Sequence, residues 1–182
     1  MGISGVVPSG SVAAEPCTIT GTNNDDVLQG TDGRDVICGK AGDDVIRGAG
    51  GNDLITGSAG KDEIRGGGGR DEIYGGGGDD DIWGGVGRDD IRGAGGADEL
   101  YGGRGADRLL GKDGTDYLVG GPGPDRMYGG KNPSSMFHEG ICLMDGVDGN
   151  DFADGGPGFD SEESDAGDVI KNFEDSSGTC PI

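Results

Sequence analysis

The sequence predicts an all-β chain wound as a solenoid of short strands. The first observation is an internal repeat: residues 21–128 divide without a gap into twelve blocks of nine residues. The second is a large aliphatic residue at position eight of every block, preceded by a glycine-rich first half. The third is the composition, since 45 of the 182 residues are Gly, which adopts the positive φ angles that tight turns need.

Four of the nine positions repeat through the array. Position one is Gly in every block, from Gly21 to Gly120, and position four is Gly in all blocks except the first, which has Asn24. Position six is always Asp: Asp26, Asp35, Asp44, Asp53, Asp62, Asp71, Asp80, Asp89, Asp98, Asp107, Asp116 and Asp125. Position eight is Leu28, Ile37, Ile46, Ile55, Ile64, Ile73, Ile82, Ile91, Leu100, Leu109, Leu118 or Met127.

Each repeated position has a physical interpretation. Positions seven to nine predict a strand of three residues whose middle side chain points inward. Positions one to six predict a turn in which glycines bring backbone carbonyl groups close to one point, where the aspartate adds a carboxylate. Carbonyl and carboxylate oxygens without nitrogen or sulfur are the ligands that calcium prefers.

The pattern resembles GGxGxDxUx, the nonapeptide of the RTX, or haemolysin-type, calcium-binding repeats; the block GGGGRDEIY from Gly66 is an example. The resemblance implies a right-handed parallel β-roll with two repeats per turn, in which each calcium ion is shared between repeats i and i+2. Twelve repeats give about ten such sites (12 − 2 = 10). It also implies export, because members of the family stay unfolded at low cytosolic calcium and fold outside the cell.

Charge and composition restrict the partners and the energetics. The net charge is −21 and only 31% of residues are hydrophobic, which is too little for a chain that must order itself by burial alone. We therefore expect calcium binding to be coupled to folding. Nucleic acid and anionic membranes need basic surfaces, and no run of 18 apolar residues is present, so we expect neither such partner nor a membrane span.

The ends depart from the repeat. Residues 1–20 read as an N-terminal segment, with a possible signal remnant at Val12-Ala13-Ala14 and a first capping strand near Ile19. Residues 129–145 read as an irregular insertion, and residues 146–182 as two degenerate repeats and a C-terminal cap. Asp151 and Asp160 keep position six of those repeats and are added to the predicted metal ligands, although their inward aliphatic residue is lost.

The chain has four cysteines, an even number that favours disulfides in an exported protein. Cys17 aligns with the aspartate position of a zeroth repeat, and we predict that it pairs with Cys38. The remaining pair would be Cys142 with Cys180, although four cysteines allow three connectivities.

The predicted function is calcium binding coupled to folding in an exported structural or adhesive module, without enzymatic activity. An HExxH metalloprotease motif would need a second histidine, whereas His138 is the only histidine, and GxSxG is absent. The alternative is a folding and export tail of a larger secreted enzyme or toxin. Ice binding would need a long regular row of Thr, whereas position two has only Thr22 and Thr31.

Residues eighteen apart should stack, which places outward side chains in columns. One column would hold Trp83 beside Tyr101, and the opposite one would hold Tyr74, Arg92, Leu110 and Tyr128. These columns are either a platform for a cell-surface glycan or protein partner, or ordinary cross-strand ladders with a cation–π contact at Arg92. We expect a monomer.

Overall fold

The computed structural model describes residues 15–123, 125–130, 135–138 and 141–144, the last two ranges as backbone only. These residues form fifteen strands and no helix: β1 (Ile19–Thr20), β2 (Val27–Gln29), β3 (Val36–Ala41), β4 (Val45–Gly50), β5 (Leu54–Ala59), β6 (Glu63–Gly68), β7 (Glu72–Gly77), β8 (Asp81–Val86), β9 (Asp90–Gly95), β10 (Glu99–Arg104), β11 (Arg108–Asp113), β12 (Tyr117–Val119), β13 (Arg126–Gly130), β14 (Ser135–His138) and β15 (Ile141–Met144). Accordingly, none of the described residues belongs to a helix that could cross a membrane.

The strands alternate between two sheets. The odd sheet has the order β1-β3-β5-β7-β9-β11-β13, and the even sheet has the order β15-β14-β12-β10-β8-β6-β4-β2. Neighbours in each sheet are parallel, apart from the antiparallel pair β14–β15. Ile37 pairs with Ile55 and Ile64 with Ile82, so residues eighteen apart lie in register. The predicted all-β parallel roll with two repeats per turn is confirmed.

The core is a narrow double row of the position-eight side chains. Eleven of them, from Ile37 to Met127, have no exposed surface, and Ile19 and Leu28 pack partly buried at the N-terminal end. Position eight can face inward in both sheets because side chains alternate along a strand and consecutive strands face one another across the roll. No other large apolar side chains are needed to fill so thin an interior.

The strands are longer than the sequence predicts. From β3 to β11 each has six residues and runs through positions seven to nine and on into positions one to three of the next block. Stacked turns have the same spacing as stacked strands, so their N–H and C=O groups pair as well; Ser58 pairs with Gly76, for example. The turn itself is confined to positions four to six.

The predicted irregular insertion over 129–145 is wrong for two segments. Residues 135–138 form β14, in which Met136 pairs with Leu118, eighteen residues earlier, and residues 141–144 form β15. The strand register thus continues although position six of this block is Ser134 rather than Asp, because backbone pairing does not require the carboxylate. The predicted degenerate repeats, with Asp151 and Asp160, and the C-terminal cap lie outside the described residues.

The zeroth strand and its disulfide are confirmed at the N-terminal end. Ile19 of β1 pairs with Ile37, and Cys17 forms a disulfide with Cys38. An ion pair of 2.7 Å between Arg34 and Glu15 crosses the same end. The predicted Cys142–Cys180 pair lies outside the described side chains.

The buried row generates a first prediction. Ile82→Ala should lower the free energy of unfolding of the calcium-loaded protein by about 2–5 kcal/mol, because it removes buried methyl groups and leaves a cavity. Urea denaturation followed by circular dichroism measures this difference. Val86→Ala, at a side chain 59% exposed in the same strand, is the control and should change it by less than about 0.5 kcal/mol. Equal effects of the two substitutions would contradict this account of the core.

Candidate metal site

The aspartates of position six line the two edges of the roll in columns. Their spacing of eighteen residues stacks them in two series, and eleven of the twelve are buried while Asp26 is half-buried. One column holds Asp26, Asp44, Asp62, Asp80, Asp98 and Asp116, and the other holds Asp35, Asp53, Asp71, Asp89, Asp107 and Asp125. The structure thus brings all twelve predicted array residues into the two columns.

From Asp44 to Asp125, one carboxylate oxygen of each position-six aspartate is fixed by the neighbouring turn. The backbone N–H of Asp62 donates to Oδ1 of Asp80 at 2.9 Å, and the N–H of Asp80 donates to Oδ1 of Asp98 at 2.9 Å. The same bond recurs along both columns, from Asp26 N–H to Asp44 Oδ1 at 2.8 Å onwards. These bonds set the orientation of each side chain and leave its second oxygen inside the turn.

The second oxygen is buried without a hydrogen-bond partner in eight consecutive repeats. These atoms are Oδ2 of Asp44, Asp53, Asp62, Asp71, Asp80, Asp89, Asp98 and Asp107. A buried polar atom with no partner costs on the order of 1–3 kcal/mol, and a charged one costs more, so such a series is exceptional in a folded protein. Such a series of oxygens fits a positively charged ligand.

The invariant glycine of position one shows where a backbone oxygen approaches the carboxylate. A Cβ atom placed on Gly84 would lie 2.6 Å from Asp89 Oδ2 and 2.6 Å from the carbonyl oxygen of Gly102, two repeats further on. Gly84 does not have a positive φ, so the reason for glycine here is lack of space rather than backbone conformation. The absent side chain lets a carboxylate and a carbonyl oxygen approach the same point.

Burial perturbs the acidity of these carboxyls. It raises the pKa of Asp80 and Asp89 to about 7 and that of Asp53 and Asp98 to about 6. For Asp80 the backbone N–H of Asp62 acts in the opposite direction, and the carboxylate of Asp98 raises the pKa further. The pKa is also raised at Asp44, Asp62, Asp71 and Asp107, with burial as the main cause.

The donor set is carboxylate and carbonyl oxygen. Across the described part of the chain, no three His, Cys, Asp or Glu side chains come together as a metal cluster. Each turn instead combines an aspartate oxygen with nearby backbone carbonyls. Hard oxygen donors of this kind fit calcium, which accepts six to eight oxygen ligands in flexible geometry.

The first two repeats differ from the others. Oδ2 of Asp26 accepts hydrogen bonds from the N–H and hydroxyl groups of Thr22 at 2.6 and 2.9 Å, and Oδ2 of Asp35 accepts them from Thr31 at 2.8 and 2.9 Å. The Thr31 N–H, and then its hydroxyl, lower the pKa of Asp35. Sequence reasoning missed this role of the threonines, although their restriction to the first two blocks was visible.

The outward columns are cross-strand ladders. Trp83 stacks on Tyr101 with ring centroids 5.5 Å apart, and the Arg65 guanidinium lies 4.8 Å from the Trp83 ring centroid. In the opposite column Arg92 lies 4.7 Å from the Tyr74 ring centroid, as expected. Since parallel stacking covers a ring face, Tyr101 occupies a Trp83 face that a glycan platform would need to present.

Residues 20–55, 56–91, 74–109, 83–118 and 110–132 match the family model described as RTX calcium-binding nonapeptide repeat (4 copies). The chain belongs to this family. Together the matches span residues 20–132, which cover every block of the array. RTX repeats bind calcium, in agreement with the oxygen donors of the turns. No curated protein matches the chain.

The raised pKa values predict how the calcium-free protein responds to pH. An unfolded aspartate has a pKa of about 3.9, whereas burial raises that of Asp80 and Asp89 to about 7. Protonation therefore favours the folded chain: this stabilisation is complete below about pH 4 and is lost as the pH rises through about 7.

Chelator-treated protein should consequently show a stronger β-sheet signal by circular dichroism at pH 5 than at pH 7.5. At saturating calcium this difference should shrink or reverse, because protons compete with the metal for the same oxygens. A calcium-free protein with a stronger β-sheet signal at pH 7.5 would contradict the assignment.

Proposed function

We propose that this chain is a calcium-triggered folding module, exported and ordered by the calcium of its surroundings, with a structural or adhesive role. The observation that carries the proposal is the series of eight buried Oδ2 atoms without partners, stacked in two columns along the roll. The repeat family indicates that the cation beside these oxygens is calcium. The burial of the carboxylates is the reason why folding would depend on that cation.

Without a cation, the buried carboxylates destabilise the folded roll. Neighbouring turns repeat at about 4.8 Å, the strand spacing, and each carries an ionised carboxylate removed from water. Burial of an unpaired charge costs several kcal/mol, and like charges at this separation repel each other. Calcium removes both costs, because one divalent ion between carboxylate and carbonyl oxygens neutralises charge and satisfies the buried atoms. About ten ions are proposed for the array.

The shared geometry also makes binding cooperative. Each Oδ1 is held by the N–H of a turn two repeats away, so a turn ordered by calcium fixes a hydrogen bond in the next turn of the column. Repeat proteins in which each unit contacts only its neighbours fold by propagation along the array. The calcium response should therefore be steeper than that of a single site.

Export is supported by one feature of the chain and by the affinity expected of extracellular calcium modules. The Cys17–Cys38 disulfide belongs to an oxidising compartment. Calcium modules of extracellular proteins bind at about 10⁻⁴–10⁻³ M, well above the range of cytosolic calcium sensors. A chain with such an affinity would stay unloaded in the cytosol and would fold when it reaches external calcium.

An adhesive role would use the outer face of the odd sheet. Tyr74, Arg92, Leu110, Lys112 and Tyr128 are among the residues around a groove of about 550 Å³ there. If this groove binds a glycan or protein, Tyr128→Ala should abolish binding to a cell-surface glycan panel, while Tyr101→Ala in the opposite ladder should not. Absence of binding by the calcium-loaded protein would leave a purely structural role.

We also propose no catalysis by this chain.

Calcium titration of chelator-treated protein, followed by far-UV circular dichroism, tests the folding switch. The β-sheet signal should rise cooperatively with calcium and stay low with magnesium, which demands a more rigid octahedral site. A roll that is fully formed without calcium at neutral pH would contradict the proposal, since the disulfide and the core would then suffice.

Two neighbouring aspartates provide matched variants for the same titration. Asp80→Asn removes the charge of a buried ligand and should raise the calcium midpoint several-fold, because one oxygen donor of the site becomes a neutral amide. Asp79→Asn makes the same change at the exposed position five, where Oδ1 only accepts the N–H of Ala97 at 2.8 Å, and should leave the midpoint nearly unchanged. Equal shifts would indicate a general effect of charge rather than a site.

A further inference from the structure

The turns of repeats one and two are closed by their own side chains. Thr22 donates both its N–H and its hydroxyl to Asp26 Oδ2, and its hydroxyl oxygen accepts the N–H of Asn24 at 3.2 Å. Thr31 does the same with Asp35 and with the N–H of Gly33, also at 3.2 Å. The carboxylate oxygen that is buried without a partner in repeats three to ten thus has two partners here.

The backbone of these two turns is also different. Position two has a positive φ in every later repeat of the array, including non-glycine residues such as Lys40 at 92° and Ser58 at 94°, whereas Thr22 and Thr31 lie outside this region. Position four, at Asn24 and Gly33, also lacks the positive φ that Gly42 shows at 110°. Threonine disfavours positive φ because its Cβ is branched, so the residue type selects the conformation.

Position four also directs its N–H differently. In the later turns it donates to a carbonyl two repeats further on, as Gly42 does to Ala59 at 3.0 Å. In the first two turns the same N–H donates to the threonine hydroxyl of its own turn. In addition, the ammonium group of Lys40 donates to the carbonyl oxygen of Gly21 at 2.7 Å, which places a protein cation at an oxygen of the first turn.

We propose that Thr22 and Thr31 close the first two turns without calcium, so that the array takes up its ions from the third repeat onwards. The threonine N–H and O–H groups supply to Asp26 and Asp35 the hydrogen bonds that replace a metal. This inference rests on the proposed calcium binding and reduces the ten predicted pairs of repeats to eight. The eight are the turns from Asp44 to Asp107, whose Oδ2 atoms have no hydrogen-bond partner.

The closed turns serve as a metal-free N-terminal end. The disulfide from Cys17 to Cys38 and the ion pair between Arg34 and Glu15 hold the same rungs together. The carboxylates at this end of the roll therefore have hydrogen-bond partners within the chain. Calcium binds where a turn is stacked between two others.

Counting bound calcium by native mass spectrometry of the full chain at saturating calcium tests the inference. Asp26→Asn should bind as many ions as the unmodified protein, because its oxygen faces Thr22 and no metal. Asp62→Asn, the same change in an interior turn of the same column, should lose at least one ion. Loss of calcium with Asp26→Asn as large as with Asp62→Asn would overturn the inference and leave calcium binding itself intact.

A second pair of variants tests the threonines directly. Thr22→Gly combined with Thr31→Gly removes the hydroxyls and allows positive φ, so the two turns should open and the count should rise by up to two ions. Ser58→Gly is the matched control at position two of an open turn and should leave the count unchanged. An unchanged count in the double variant would overturn the inference, and a calcium-free unmodified protein would overturn the proposed function as well.

Discussion

In each column of turns, a buried aspartate carboxylate lies eighteen residues from the next and receives one hydrogen bond from the backbone of its neighbour. That bond orients the side chain and leaves the second oxygen buried in the turn. The register, the invariant glycines and the acidity of the carboxyls all follow from this arrangement. A shift of one strand by a single residue would remove both the bond and the stack.

The hydrophobic core alone is too narrow to impose such an arrangement. It consists essentially of one inward aliphatic side chain per repeat, with its partners in the facing sheet. Burial of this row selects which face of each strand points inward, but it contributes nothing to the carboxylates at the edges. In the proposed function the metal and the core have separate roles: the aliphatic row sets the strand orientation, and the cations make the stacked turns compatible with folding.

The N-terminal end satisfies its carboxylates with groups of the chain itself. There, the chain's own N–H and O–H groups face the carboxylates of Asp26 and Asp35, and a disulfide and an ion pair tie the outer strand to the second repeat. Solenoids need ends that differ from their interior units, because an end unit lacks one neighbour. In this protein the difference is produced by a single residue type at position two.

The sequence by itself determined the repeat, the inward residue of each repeat and the twelve aspartates, and it favoured the pairing of Cys17 with Cys38 among three possible connectivities. These are consequences of periodicity, which forces residues eighteen apart into register and is visible in one dimension. The tertiary structure alone decided how far each strand extends, that residues 135–138 continue the even sheet, and which aspartate oxygens keep a partner. The reason is that hydrogen bonds between neighbouring turns depend on backbone direction. In the turn of Ser58, which has a positive φ, Oδ2 of the position-six aspartate has no hydrogen-bond partner, whereas in the turn of Thr31 it accepts hydrogen bonds from the threonine.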